Sequence, residues 1–362
     1  MRILFVTSLT GNTTVGLSYS VPARIKAQEK IDDVLWVNLT EAELPHWKEV
    51  NCFHKLSEYG RKMSLDILPS SFNKPDLVVF EDFYIFKMVW FSYELRKKNI
   101  PYIVVPRSNL TYLAQHNHSH WKKLIFNPLC FSNFTKKALC IQYLSNEEYT
   151  NSTDIWNTNH IIIPNGINMP NNTKQTFSEK CIKAISISRI DAYHKGLDLL
   201  VQACKEIQEE LRKASFSIKL YGKKECDYNR LNKTIREYGI EDIISFPGPV
   251  LGNEKETALM NADIFIQVSR LEGMPMGLLE AFSYGLPAVV STGSNMADDV
   301  AAYHAGWTCQ TDVQSIKYAL LKAISEKEEF ASFGCNSLKI AENYQWDKIA
   351  LTFHNRVSEL IS

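Results

Sequence analysis

The chemistry legible in this chain of 362 residues rests on two carboxylates and two cations. Glu272 and Glu280 bracket the run Glu-Gly-Met-Pro-Met-Gly-Leu-Leu-Glu. Inside it, Gly273 and Gly277 lack a Cβ and let backbone N–H groups come close to a ligand. A helix is expected to begin at Gly277, and a helix start offers unpaired donors and a positive dipole end to an anion. Phosphate at the helix start, with carboxylates accepting from sugar hydroxyls, suits a phosphorylated, hydroxyl-rich ligand. The bland alternative is a polar loop with an incidental Glu pair. Arg189 and Lys195 lie in SRIDAYHKGLDLL. An Arg grips phosphate through two parallel bonds and a Lys supplies a mobile point charge. Two solvated loop charges are the alternative there. Asn165-Gly166, in IIPNGI, reads as a strand ending in a tight turn. His116, His118 and His120 alternate and would share one face of a strand, where they could hold a metal. Their surroundings, AQHNHSHW, read instead as a polar loop before a helix, and no metal is assigned.

The elements that must position these residues alternate along the chain. Strand-like runs are expected at 3–7, 34–39, 77–80, 102–105, 138–142 and 161–163. A second series follows at 184–188, 216–221, 243–246, 264–268 and 288–291. Helical segments separate them, among them 89–98, 145–156, 197–213, 228–238, 277–284 and 313–325. Such alternation implies parallel sheets covered on both faces, here an α/β chain of two doubly wound domains. The polar stretch 170–178 separates the two series. It sets expected domains at 1–172 and 173–345, with a last helix near 346–362 that follows the second sheet. Ligands of open parallel sheets bind beyond the carboxyl ends of the strands, so the expected site is a cleft between the two sheets.

Composition narrows the class. Apolar residues make up 45% and charged residues 22%, and 40 Lys and Arg balance 40 Asp and Glu. That balance excludes a disordered or rod-like chain and argues against a dedicated nucleic-acid binder. No run is long and apolar enough to span a membrane, and the N-terminus reads as a first strand rather than a signal peptide. The eight Cys are scattered without a C-x-x-C, as expected of reduced thiols in a cytoplasmic protein.

Pro164-Asn165-Gly166, Arg189 with Lys195-Gly196, and Glu272-x7-Glu280 occur in this order and at these spacings. Together with GLPAVVSTGSNMADDV downstream, they resemble the retaining glycosyltransferases of family 4. The resemblance covers most of the chain and is specific in the second half. It implies the GT-B fold: two Rossmann-like domains facing a cleft, with a last helix crossing back to the first. It also implies a nucleotide-sugar donor, expected to be UDP-linked, and no further cofactor or metal. Arg189 and Lys195 would bind the donor diphosphate, Glu272 the transferred sugar and Glu280 the ribose. The backbone from Gly273 through Met274, Met276, Gly277 and Leu278 would line phosphate and sugar, while Gly222 and Val250 would border the base. Gly16 matches the loop that faces donor and acceptor. Where many relatives have His-Gly after the fourth strand, this chain has Pro106-Arg107-Ser108. Some polysaccharide-type relatives have Pro-Arg-Gly there, which makes Arg107 a candidate for the catalytic set.

Residues 87–137 carry nine Lys or Arg against one acid, Glu94, interleaved with Trp90, Phe91, Trp121, Phe126, Phe131 and Phe134. Basic residues mixed with aromatics suit an anionic membrane surface. A peripheral enzyme at the inner face of the cytoplasmic membrane is expected. It would move a sugar from a nucleotide-sugar to a glycan or lipid-linked glycan acceptor in surface polysaccharide biosynthesis. The alternatives are a non-catalytic glycosyltransferase-like scaffold and a dinucleotide-dependent oxidoreductase. The latter lacks a G-x-G-x-x-G after its first strand.

Overall fold

The computed structural model describes residues 1–12, 16–116, 120–152, 155–224 and 227–361. It divides into two units, 1–166 with 346–362, and 167–345.

The first unit is built on β1 (Arg2–Thr7), β2 (Asp33–Asn38), β3 (Phe53–Lys55), β4 (Leu77–Glu81), β5 (Tyr102–Val105), β6 (Cys140–Tyr143) and β7 (His160–Ile162). Their spatial order is β3-β2-β1-β4-β5-β6-β7, and every pairing is parallel. The order reverses between β1 and β4, which makes that gap the switch point of the sheet. Alternate side chains serve opposite layers, as the two-residue period of a strand requires. Leu4, Val6, Val78 and Phe80 join a core with Met88, Phe91 and Leu95 of helix Phe86–Lys97. Ile3, Phe5, Leu77 and Val79 face the other way, toward Val21 and Ile25 of helix Leu17–Gln28.

That second layer also takes in the last helix, Trp346–Ile361. Its buried residues Trp346, Ile349, Ala350, Phe353 and Val357 form one helical stripe. His354 Nδ1 lies 2.8 Å from Asp32, and the Arg24 guanidinium lies 4.6 Å from the centre of the Phe353 ring.

The second unit holds β8 (Ile182–Ile187), β9 (Phe216–Tyr221), β10 (Ile244–Gly248), β11 (Ile264–Gln267), β12 (Ala288–Ser291) and β13 (Gly306–Cys309). The order is β10-β9-β8-β11-β12-β13, again all parallel, with its switch point between β8 and β11. Ile264 and Ile266 point into one layer and Phe265 into the other.

The ends of this unit are neighbours. Ile167 and Gln345 form an isolated parallel bridge, and the Ile167 N–H donates to the Tyr344 carbonyl at 2.7 Å. In the first unit, Gly166 lies so close to Trp346 that a Cβ there would sit 2.5 Å from the indole.

Some elements depart from the expected ones. The expected helix 197–213 is two helices, Leu197–Glu206 and Gln208–Lys213, because Ile207 leaves helical geometry while staying buried. β3 and β13 add strands that the pattern did not indicate. Of the described cysteines, Cys140, Cys204 and Cys309 are buried, Cys52, Cys130 and Cys181 half-buried, and Cys335 exposed. Cys226 lies outside the described residues. No helix among the described residues is long and apolar enough to cross a membrane.

Candidate functional site

Four of the expected residues sit at the carboxyl edge of the second sheet, around its switch point. Arg189 and Lys195 lie in the loop after β8, and Glu272 in the loop after β11. Glu280 rides the helix Met276–Ser283 that this second loop feeds.

Two devices press the two loops together. Gly196 has φ +64°, and a Cβ on it would lie 2.0 Å from the Val268 carbonyl, so no other residue fits without a shift. Arg270 forms a bidentate pair with Asp198 at 2.7 and 2.8 Å and donates to the Tyr193 carbonyl at 2.8 Å. With the loops so held, the Lys195 ammonium rests on Glu272 Oε2. That oxygen also accepts from Ser269 Oγ at 3.2 Å and Gln267 Nε2 at 3.3 Å. All three donors meet one oxygen. The other, Oε1, has no donor among the described residues. Lys195 and Glu272 side chains are only 13% and 15% exposed, so water screens the pair weakly.

Arg189 differs from Lys195. It is exposed and makes no side-chain hydrogen bond among the described residues. Burial raises the neighbouring Asp191 carboxyl, but bonds from the His194 N–H and ring, together with Arg189, outweigh burial and leave it low. A free guanidinium and a paired ammonium thus flank the switch point.

The loop that opens the Met276–Ser283 helix supplies backbone donors. The N–H groups of Gly273, Met274 and Gly277 have no acceptor among the described residues. Those of Met276 and Leu278 are spent on the Met274 and Pro275 carbonyls, at 3.0 Å each. Asn295, itself left-handed at φ 61°, fixes the loop by donating to the Gly273 carbonyl at 2.9 Å. Gly277 is small for a packing reason as well: a Cβ would lie 2.6 Å from the Ile187 carbonyl. Leu278 is fully buried, and Met274, Met276 and Val250 pack on the same core. Gly222 abuts the Ser188 carbonyl, which a Cβ would approach to 1.9 Å. Gly16 caps the helix Leu17–Gln28, with open space where a Cβ would point. Residues 13–15 of that loop lie outside the described ones.

Glu280 does not stand free. Lys255, on helix Gly252–Asn261, donates to its Oε1 at 2.8 Å. Lys255, Arg270, Gln267, Ser269 and Asn295 escaped sequence reasoning. Each acts through a partner distant in sequence or through an unremarkable side chain. The one available signal was the clustering of three of them, Gln267, Ser269 and Arg270, within a few residues of Glu272.

Arg107, a candidate for the catalytic set, turns its side chain inward and is 5% exposed. Nε and Nη2 hold Glu81 Oε2 at 3.0 and 2.8 Å, and Nη1 holds Asn165 Oδ1 at 2.6 Å. Arg24 takes the other Glu81 oxygen at 2.5 Å and Gln142 at 2.6 Å. One fully buried carboxylate therefore serves two guanidinium groups, the balance a buried charge needs. Arg107 and Ser108 are both left-handed, at φ 52° and 66°, and Asp82 stands at φ 99°. Strained non-glycine backbone therefore collects at the carboxyl ends of β4 and β5.

His118 lies outside the described residues, and His116 is bonded to the Tyr112 carbonyl at 2.8 Å. Among the described residues no group of His, Cys, Asp and Glu could hold a metal ion. A cavity of about 600 Å³ opens beside β8 and β9, lined by Lys183, Lys219, Tyr221, Asn253 and Thr257 among others. None of Arg189, Lys195, Glu272 or Glu280 lines it, and it runs along the sheet face rather than its ligand-binding edge.

Residues 169–339 match the family model of glycosyl transferases group 1. WcaL of Salmonella typhimurium, named for colanic acid biosynthesis, is 26% identical over 194 residues, covering 50% of this chain and 45% of that protein. The amylovoran biosynthesis glycosyltransferase AmsK of Erwinia amylovora is 28% identical over 148 residues, covering 39% and 35%. The matches thus span less than half the length of these relatives. In fold, the chain is similar to HepE of Anabaena, solved in complex with UDP and glucose. The TM-score is 0.71 at 16% identity, over 99% of this chain and 100% of that one. The lipopolysaccharide outer core galactosyltransferase WaaB gives 0.69 at 15% identity, over 99% of each chain. The chain has the GT-B fold, and residues 169–339 of its second unit are similar to the glycosyl transferases group 1.

Proposed function

We propose that this protein is a retaining glycosyltransferase. It moves a sugar from a nucleotide-sugar, UDP-linked in our reading, to a glycan or lipid-linked glycan of a surface polysaccharide, at the inner face of the cytoplasmic membrane. The observation that carries the proposal is the switch-point constellation of the second sheet. Exposed Arg189, the Lys195–Glu272 pair and the open N–H groups of Gly273, Met274 and Gly277 share one edge. The group 1 match of this unit and the UDP in the HepE structure support the same reading.

In the proposed reaction the bond from the anomeric carbon to the leaving phosphate oxygen breaks. The acceptor hydroxyl oxygen bonds to that carbon on the same face, and its proton passes to the leaving phosphate. Arg189, Lys195 and the loop N–H groups would stabilise charge growing on the diphosphate; such preorganised donors cost no reorganisation at the moment of reaction. Oε1 of Glu272 would accept from a hydroxyl of the transferred sugar. Glu280, oriented by Lys255, would take the ribose.

Calorimetric titration with UDP, GDP and ADP tests this, on wild type and on the double variant Arg189→Ala/Lys195→Ala. Tight binding of one nucleotide, lost in the double variant, is expected. Binding of none of the three would move the assignment to a non-catalytic scaffold.

A further inference from the structure

Near β4 and β5 of the first unit, apolar side chains stand in water. Trp121, Leu124 and Ile125 lie at i, i+3 and i+4 on helix His120–Phe126, and are 62%, 62% and 48% exposed. Leu129, 70% exposed, follows in the π-helical turn Asn127–Phe131. An i, i+3, i+4 stripe normally faces a core. Here the core side is already filled by Phe131 and Phe134, at 1% and 2% exposure, and the stripe faces outward. The surface continues onto helix Phe86–Lys97. The Phe86 ring lies 5.2 Å from that of Phe126 and 6.3 Å from that of exposed Trp90.

Uncompensated positive charge accompanies it. Lys87, next to Phe86, and Lys122, next to Trp121, are exposed and form no ion pair among the described residues. Lys98, by contrast, pairs with Asp66 and Glu94, and Arg107 with Glu81. Lys122 Nζ lies 5.4 Å from the centre of the Trp121 ring, so cation and aromatic share one place. Both elements leave from the carboxyl ends of β4 and β5, the edge where open sheets take their ligands.

We propose that this surface docks on an anionic lipid bilayer. Trp121, Leu124, Ile125 and Leu129 enter the boundary between headgroups and acyl chains, and the unpaired lysines lie on the headgroups. The sequence had implicated Phe91, Phe131 and Phe134, but they belong to the core; Leu124, Ile125 and Leu129 do the inserting. The inference deepens the proposed function and rests on it in one respect: a lipid-linked acceptor would be met at this edge.

The test is co-sedimentation with vesicles of phosphatidylglycerol and phosphatidylethanolamine, and with vesicles of phosphatidylcholine alone. Wild type should favour the anionic vesicles and release as salt rises. Leu124→Ser/Ile125→Ser/Leu129→Ser should lower binding at least about tenfold, since inserted aliphatic side chains supply the apolar burial. Lys87→Gln/Lys122→Gln should lose roughly fivefold per charge on anionic vesicles and little on neutral ones. All the replaced side chains are exposed or point from the surface, so both variants should keep the wild-type melting temperature. Serine variants that sediment like wild type would overturn the proposal. So would a wild type that ignores every vesicle but forms a dimer that the serine variant abolishes, which would mark a protein interface. The UDP titration is read separately, so failure on vesicles with nucleotide binding intact would remove the docking surface and leave the transferase assignment standing.

Discussion

The ammonium of Lys195 and the carboxylate of Glu272 meet at a single oxygen, Oε2, leaving Oε1 open. The pair lowers the net charge beside an expected diphosphate and aims Glu272 at once. Lys195→Ala should therefore cost roughly 10²–10³ in kcat, the range for one preorganised donor. Steady-state kinetics with the cognate donor would show it. A kcat within about threefold of wild type would remove Lys195 from the mechanism.

Lys255 should matter through Glu280. Lys255→Ala leaves Glu280 without its 2.8 Å partner, so nucleotide affinity should fall about tenfold, the scale of a charge-assisted hydrogen bond. Glu280→Ala should weaken binding at least as much, and the double variant should add little. Calorimetry on the three variants tests the coupling; fully additive losses would mean that Lys255 contacts the ligand by itself.

Arg107 is expected to act on stability. Arg107→Ala leaves Glu81 with only Arg24, and breaking one side of a buried ion pair costs about 3–5 kcal/mol. Burial already pushes Arg24 down to about 10, with Glu81 working against that and Arg107 with it. Urea unfolding measures the loss. A variant with wild-type stability and reduced kcat would return Arg107 to the chemistry.

Gly277→Ala should disturb the donor loop without touching a charge. Its Cβ would lie 2.6 Å from the Ile187 carbonyl, so β8 and the helix start must move apart. A loss of about 1–3 kcal/mol is expected, the scale of overpacking, together with weaker nucleotide binding. Gly60→Ala, whose Cβ would make only ordinary contact with the Ile67 side chain at 3.5 Å, is the matched control.

Acid should loosen the last helix. Burial raises the Asp32 carboxyl, but the N-terminal ammonium, His354 and Gln28 outweigh it and hold it below its ordinary 3.8. A depressed acid contributes stability that is complete above 3.8 and lost as pH falls through its folded value. The melting temperature of wild type should drop below that pH. Asp32→Asn should start lower and show a smaller drop; an equal drop would place the acid sensitivity elsewhere.

Much of this fold was legible because its strands are buried on both faces. Runs such as LVVF and FSIKLY then appear as apolar or β-branched stretches bounded by polar loops. β3, three half-buried residues, leaves no such trace. The switch-point motifs were legible because glycine, carboxylate and cation lie close in sequence. The inward pairing of Arg107 was not legible because its partner Asn165 is 58 residues away, and nothing local reports the turn. The aromatics of 87–137 were half misassigned for a related reason. The helix changes from α to π winding at Asn127, so a fixed spacing cannot separate buried Phe131 from exposed Leu129.

The bridge between Ile167 and Gln345 has a practical meaning. A unit whose first and last residues are neighbours is, in effect, a cassette inserted into its host. Residues 167–345 can be produced as one uninterrupted polypeptide. The host can be re-ligated by joining Gly166 to Trp346, which already touch, through a short linker. Each half then becomes a separate reagent, on which the proposed nucleotide binding and the proposed lipid docking can be measured apart.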